Sequence, residues 1–231
     1  MAYYGKFRGK VVDPLDPLQL GRIIALVPAI SEMPLNWALP AAPYAGRGVG
    51  FFAMPPIGAN VWIEFEGGDV DYPIWTGCFW GEGEVPAEPA VPTTTILKTT
   101  FGTFSINDLD AELKLSLEAP DGLMSLVMNP TGIKLSLNEV SISITQEAIT
   151  LSHAPSTVEI TPEGITVSCP ESVTLNSGTA SVEVTPAAIS LSDGAASIEI
   201  APAAIAIENG AGSIAVSPAS VTINDGALEI I

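Results

Sequence analysis

The chain has 231 residues, with 26 acidic against 8 basic side chains, and 47% of it is hydrophobic. That apolar content excludes charge-driven disorder, and the net charge of −18 excludes partners that need a basic surface, nucleic acid and anionic lipid alike. No stretch reaches the roughly 20 apolar residues of a membrane-spanning helix, and the N-terminal MAYYGKFRGK lacks the apolar core of a secretory signal, so synthesis in a cytoplasm without such export is expected.

Residues 1–81 hold all four Trp and all four Tyr. GKFRGKVV (5–12) and GRIIALV (21–27) read as strands joined by an Asp-Pro turn segment, and residues 50–81 read as three more. Five short strands in about 80 residues suit a small Greek-key barrel of the OB type. Acids outnumber bases in this region, which argues against a nucleic-acid channel. Cys78 and Cys169 fall in separate halves, so they read as two buried free thiols rather than a disulfide framework.

Residues 82–95, rich in Pro, Glu and Thr, read as an extended linker. Residues 96–123 open the second half, and from there aromatic residues vanish after Phe101 and Phe104. From 124 to 231 the chain repeats. SVEVTPAAISLSDGAA, SIEIAPAAIAIENGAG and SIAVSPASVTINDGAL stack with a period of 16 over residues 181–228. Val182, Val184, Ile189 and Leu191 are followed by Ile198, Ile200, Ile205 and Ile207, then by Ile214, Val216, Val221 and Ile223. Spacing by two puts both members of a pair on one face of a strand. The odd gaps between pairs require a bend, and Pro186, Pro202, Pro218 and the dipeptides Asp193–Gly194, Asn209–Gly210 and Asp225–Gly226 sit there. Upstream, Leu126 and Met128, Ile142 and Ile144, and Val158 and Ile160 keep the register; one extra eight-residue unit, carrying Val173 and Leu175, precedes Val182.

A strand with two inward aliphatics cannot bury them alone. The expected solution is three chains wound as an intertwined prism. Each strand would continue onto the next face at a corner, every neighbouring strand would come from another chain, and the twelve aliphatics named above would form the trimer core. Burial of each is worth roughly 1.5–3 kcal/mol, and closure removes sheet edges. The fold class expected is therefore all-β, an N-terminal OB-fold barrel followed by an intertwined trimeric β-helix. From Leu135 onward there are eleven acids and no Lys or Arg, which reads as the solvated, non-adhesive surface of a shaft.

Gly21-Arg22, Trp37-Ala38, Pro55-Pro56-Ile57-Gly58, Val61 to Glu66, Gly68-Asp69, Pro73-Ile74-Trp75 and Gly77 to Trp80 together resemble the OB domain of phage baseplate assembly protein V and central spike proteins. Residues 97–128 are similar to the segment that opens the β-helix in this family and in the valine-glycine repeat spikes of type VI secretion. The resemblance implies a homotrimer in a virion tail baseplate or equivalent injection particle. Its barrels would sit on a hub protein, and its shaft would be driven through the target cell envelope on sheath contraction. Some relatives carry a lysozyme domain between barrel and shaft; the short linker leaves no room for one. Others end in a tip where His-x-His pairs hold iron, whereas His153 is the only histidine and lies mid-shaft, where it reads as a turn-adjacent polar residue. The apolar GALEII ending implies a separate tip-capping protein. No catalytic, cofactor or metal residues are expected, and no enzymatic activity: the acids recur singly with the repeat, as Glu183 and Glu199 do on the opposite face, and Ser, His and Asp form no nucleophilic arrangement. The alternative reading is a trimeric β-helical tailspike or adhesin that binds or degrades cell-surface glycan.

Overall fold

Alternating burial along short strands builds the first unit. The computed structural model describes residues 2–224 and 227–230, and the chain divides into two compact units, Met1–Ala90 and Val91–Ile231. In the first, β1 (Phe7–Asp13), β2 (Ile24–Leu26), β3 (Leu39–Pro40), β6 (Asn60–Phe65) and β7 (Pro73–Cys78) form one sheet in the order β2-β1-β6-β7-β3. The hairpin of β4 (Ala45–Gly46) and β5 (Val49–Gly50) stands apart from it. Along β6, Val61, Ile63 and Phe65 are buried while the residues between them are half-buried, the period-two pattern of a strand with one face on a core. They pack with Val11, Ile23, Ala25, Val27 and Ala38.

One strand of this sheet lies outside the expected stretch. Residues 50–81 supply two of the five rather than three, and β3 joins instead as an edge, parallel to β7. Two residues, one of them Pro40, carry no strand signal of their own, because proline removes a ladder donor and is confined to edges.

The second unit is two antiparallel meanders. The first contains β8 (Thr94–Lys98), β9 (Gly102–Asn107), β10 (Glu112–Ala119), β11 (Gly122–Asn129) and β12 (Gly132–Leu137). It continues through β13 (Val140–Thr145), β14 (Ile149–His153), β15 (Ser156–Ile160) and β16 (Ile165–Ser168). The second contains β17 (Val173–Ser177), β18 (Ala180–Val184), β19 (Ile189–Asp193) and β20 (Ala196–Ile200). It ends with β21 (Ile205–Asn209), β22 (Gly212–Val216), β23 (Val221–Ile223) and β24 (Leu228–Ile230). The turn expected at Asp225–Gly226 and the terminal Ile231 lie outside the described residues, as do the side chains of Glu229 and Ile230.

The all-β class and the N-terminal OB domain hold. What differs is who supplies the neighbouring strand. Within each meander every strand pairs with the strands before and after it in its own chain, not with strands of other chains as the prism expectation had it. The physical reason is turn length. Two central residues close Asp193 onto Ala196 and Asn209 onto Gly212, and such loops make tight hairpins that return the chain onto the same sheet. Gly194 and Gly210, at φ of 61° and 60°, occupy the first of the two central positions, the glycine site of a type II′ turn.

Candidate functional site

The twelve aliphatics from Val182 to Ile223 line up as two cross-strand columns. One runs Leu175, Val182, Leu191, Ile198, Ile207, Ile214, Ile223; the other runs Val173, Val184, Ile189, Ile200, Ile205, Val216, Val221. Cross-strand partners share a sheet face, so the columns lie side by side on one surface. The opposite surface carries Thr174, Glu183, Ser190, Glu199, Ala206, Ala215 and Thr222 in the same order of strands. Glu183 and Glu199 fall there, on the face away from the aliphatics.

That aliphatic surface is bare. Nine of the twelve are exposed, between 38% (Ile198) and 43% (Val184, Ile200, Ile207), and Val182, Val221 and Ile223 are only partly buried. Among the described residues, every fully buried apolar side chain lies between Val11 and Pro73, in the first unit. The second unit is thus a single layer without a core of its own, whereas stable domains pack at least two layers.

The upstream meander repeats the arrangement, and its columns contain the six residues that keep the 16-residue register together with those of the intervening strands. Leu115, Leu126, Leu135, Ile142, Leu151, Val158 and Val167 form one, and Leu113, Met128, Ile133, Ile144, Ile149, Ile160 and Ile165 a second. A third runs Leu117, Met124, Leu137, Val140, His153, Ser156. Leu135, Leu151 and Val167 are themselves 16 apart, as are Ile133, Ile149 and Ile165; they lie on the intervening strands, which the register read from Leu126, Ile142 and Val158 left out. His153 therefore ends β14 on the aliphatic surface, between Val140 and Ser156, directly beside the Ala154–Pro155 turn as expected. Among the described residues no group of three or more His, Cys, Asp or Glu side chains is placed to hold a metal ion.

Four of the four-residue connections, at 145–148, 161–164, 185–188 and 217–220, share one device. Thr185 Oγ1 accepts the N–H groups of Ala187 (3.2 Å) and Ala188 (3.0 Å), while the Thr185 N–H donates to the Ala188 carbonyl (2.9 Å). Thr145, Thr161 and Ser217 do the same in their turns. Cys169 occupies the corresponding position in Cys169–Ser172. Its sulfur lies 3.2 Å from the Ser156 hydroxyl, and that bond, with the N–H groups of Glu171 and Ser172, draws the thiol pKa down. The cysteines are not both buried as expected: Cys78 is exposed and Cys169 half-exposed. Protein packed around the Cys78 sulfur nevertheless pushes its thiol up.

In the first unit the residues that carry the family resemblance meet. Arg22 contacts Asp16 through Nη2 at 2.6 Å and Nε at 3.1 Å, and its guanidinium lies 5.2 Å from the centre of the Trp37 ring. Asp16 also accepts the N–H groups of Leu18, Leu20 and Arg22 itself, and Trp75 Nε1 donates to the Gly21 carbonyl at 3.1 Å. Sequence reasoning missed Asp16, whose role depends on a loop folding back over six residues. The arrangement orders a loop; it presents no nucleophile or base to a cleft.

A small barrel with its own core, joined to two coreless sheets that each expose an aliphatic face, has the build of a structural protein that covers those faces by assembly. The comparisons narrow this. Residues 7–80 match the family described as the type VI secretion system/phage-baseplate injector OB domain, and residues 171–229 match the phage baseplate V C-terminal trimerisation domain. Together these cover more than half of the chain, which belongs to the phage baseplate V and type VI spike family. It is also similar to the actin cross-linking toxin VgrG1 of Vibrio cholerae serotype O1, 29% identical over 117 residues that make up 47% of this chain and 11% of the toxin. The shared region is thus a small part of that relative's length.

Proposed function

We propose that three copies of this chain form the central spike of a contractile tail baseplate, and that the spike is driven through the target cell envelope when the sheath contracts. The observation that carries this reading is the missing core. With about 40% of nine of these twelve aliphatics still exposed, covering the surface recovers about 1–2 kcal/mol for each such residue, summed over the three chains. The trimerisation domain matched over 171–229 fits that need. Val182, Val184, Ile189, Leu191, Ile198, Ile200, Ile205, Ile207, Ile214, Val216, Val221 and Ile223 are then the trimer core, and the acidic residues of the opposite surface face solvent. On this reading the N-terminal unit docks on a hub protein, the shaft touches the envelope only in passing, and the role is mechanical rather than catalytic.

Light scattering on the purified full-length chain tests the assembly step. Wild type should give the mass of three chains. Ile205→Asp, which brings three carboxylates together in a dry interior, should shift it to one chain, since a buried unpaired charge is not tolerated. Glu199→Gln, on the other surface, should leave the trimer intact. A wild-type monomer with folded sheets would sink the reading. The piercing step is tested in assembled particles, where Ile205→Asp should preserve adsorption to cells and abolish permeabilisation of the envelope; loss of glycan-degrading activity instead would favour the tailspike alternative.

A further inference from the structure

The two meanders of the second unit are separated by Cys169–Ser172, and the hydrogen-bond ladder stops there. β16 ends one sheet and β17 begins the other, with no pairing between them. The connecting Cys-Pro-Glu-Ser is as long as Thr-Pro-Ala-Ala at 185–188, which joins β18 to β19 as an ordinary hairpin. Length is therefore not what prevents pairing.

Ladder parity prevents it. In an antiparallel pair, residues alternate between exchanging both hydrogen bonds and exchanging none. Thr161 and Gly164 exchange both, so on β16 it is Thr166 and Ser168 that bond to β15, and Ile165 and Val167 turn their N–H and C=O groups outward. Beyond the gap, Thr185 bonds Ala188, which places Val182 and Val184 in the bonded pairs with Leu175 and Val173. On β17 the outward groups thus belong to Thr174 and Asn176. An antiparallel joint would set Ile165 and Val167 opposite Thr174 and Asn176, an aliphatic against a polar residue on one face at every position. Parallel pairing reverses this. In a parallel ladder a residue whose groups point at the neighbour sits beside one whose groups point away, so Ile165 aligns with Val173 and Val167 with Leu175, and the aliphatic surface stays continuous. A parallel connection within one chain needs a crossover of about a dozen residues or more, and only four are present.

We infer that β17 of one copy pairs in parallel with β16 of a neighbouring copy, so that the chain changes faces of the trimer at Cys169–Ser172 and the three subunits intertwine at this level. Three-fold symmetry supplies the geometry. A chain that rounds a corner in one sense lays β17 on the next face, beside a β16 travelling in the same sense. The two edges are also where the aliphatic surface is barest: Ile165 is 70% exposed and Leu175 67%. The trimerisation match begins at residue 171, inside the connection. The extra eight-residue unit is what shifts the parity, and its effect is to turn three abutting sheets into three locked ones.

This inference rests on the trimer proposed above, and the experiment separates the two. Thr166→Cys and Thr174→Cys, which the parallel register places side by side, are combined in full-length chain lacking Cys78 and Cys169 (Cys78→Ala, Cys169→Ser). Ser168→Cys with Asn176→Cys serves as a second pair, in case one disturbs folding. Light scattering comes first, then oxidation and a denaturing gel without reductant. Covalent dimers and trimers are expected, with at least half of the chain linked. A trimer that yields only within-chain links, or none from either pair, overturns strand exchange and leaves the trimer standing; a monomer overturns both.

Discussion

Asp16 is held by one guanidinium and three backbone N–H groups, and its side chain is only 3% exposed. The Arg22 hydrogen bonds, first among these, hold its carboxyl well below the ordinary carboxylate range. A group with a lowered pKa in the folded state binds its proton more readily when unfolded, so it stabilises above its unfolded value near about 4 and loses that contribution as pH falls below it. Asp16→Asn should therefore lower the melting temperature of the N-terminal unit at pH 7, and the gap to wild type should close as the pH drops from about 4 to 2. Equal gaps at pH 7 and pH 2, followed by Trp fluorescence, would show that the Asn side chain harms the loop for reasons other than charge. Asp16 was illegible in the sequence because an acid in a Pro-rich loop gives no sign of which cation will fold onto it. Gly21, Arg22, Trp37 and Trp75 were legible as a set by resemblance, yet their shared purpose, fixing one loop on the barrel, appears only in three dimensions.

At the scale of strands and turns the sequence was far more informative. The i, i+2 pairs specify which face of each strand is aliphatic, and Pro, Asp-Gly and Asn-Gly mark the bends from Thr185 onward, because only a few residue types supply the required backbone angles. These signals leave the partner strand undetermined: a hairpin within one chain and a corner between chains need the same two faces. The same is true of the extra eight residues before Val182, visible as a 24-residue step but not as a parity shift until the hydrogen-bond phase is known. The repeated turns also expose a gap. Ala201 makes the N–H to carbonyl bond of its turn to Ala204, at 3.0 Å, but it has no hydroxyl to accept the N–H groups that Thr145, Thr161, Thr185 and Ser217 accept. Ala201→Thr should fill that role and stabilise the assembled shaft by about 0.5–1.5 kcal/mol per chain, the net value of one such bond. Denaturant unfolding with an unchanged slope and a higher midpoint would support this; an unchanged or lower midpoint would mean the backbone at 201 does not present the hydroxyl to its turn.

For the molecule as a whole, two kinds of stability coexist in one chain. The N-terminal unit owns its core, so its unfolding is set by its own contacts. The second unit has its apolar surface uncovered, so its unfolding is tied to dissociation, and mass action makes the midpoint rise with chain concentration. Charge acts on the same unit in a fixed direction. From Leu135 onward there are eleven acids and no Lys or Arg, so added salt has repulsion to screen and no Lys or Arg ion pair within that stretch to weaken. Calorimetry should then resolve one transition that is insensitive to both variables and a second that climbs with chain concentration. Between 10 mM and 0.5 M sodium chloride the second should rise by about 2–8 °C, what roughly 1 kcal/mol yields for domains of this size. A shaft transition that stays fixed over a hundredfold range of concentration would mean the aliphatic columns are covered within one chain, and one that falls with salt would mean attraction to bases elsewhere outweighs the repulsion among these acids.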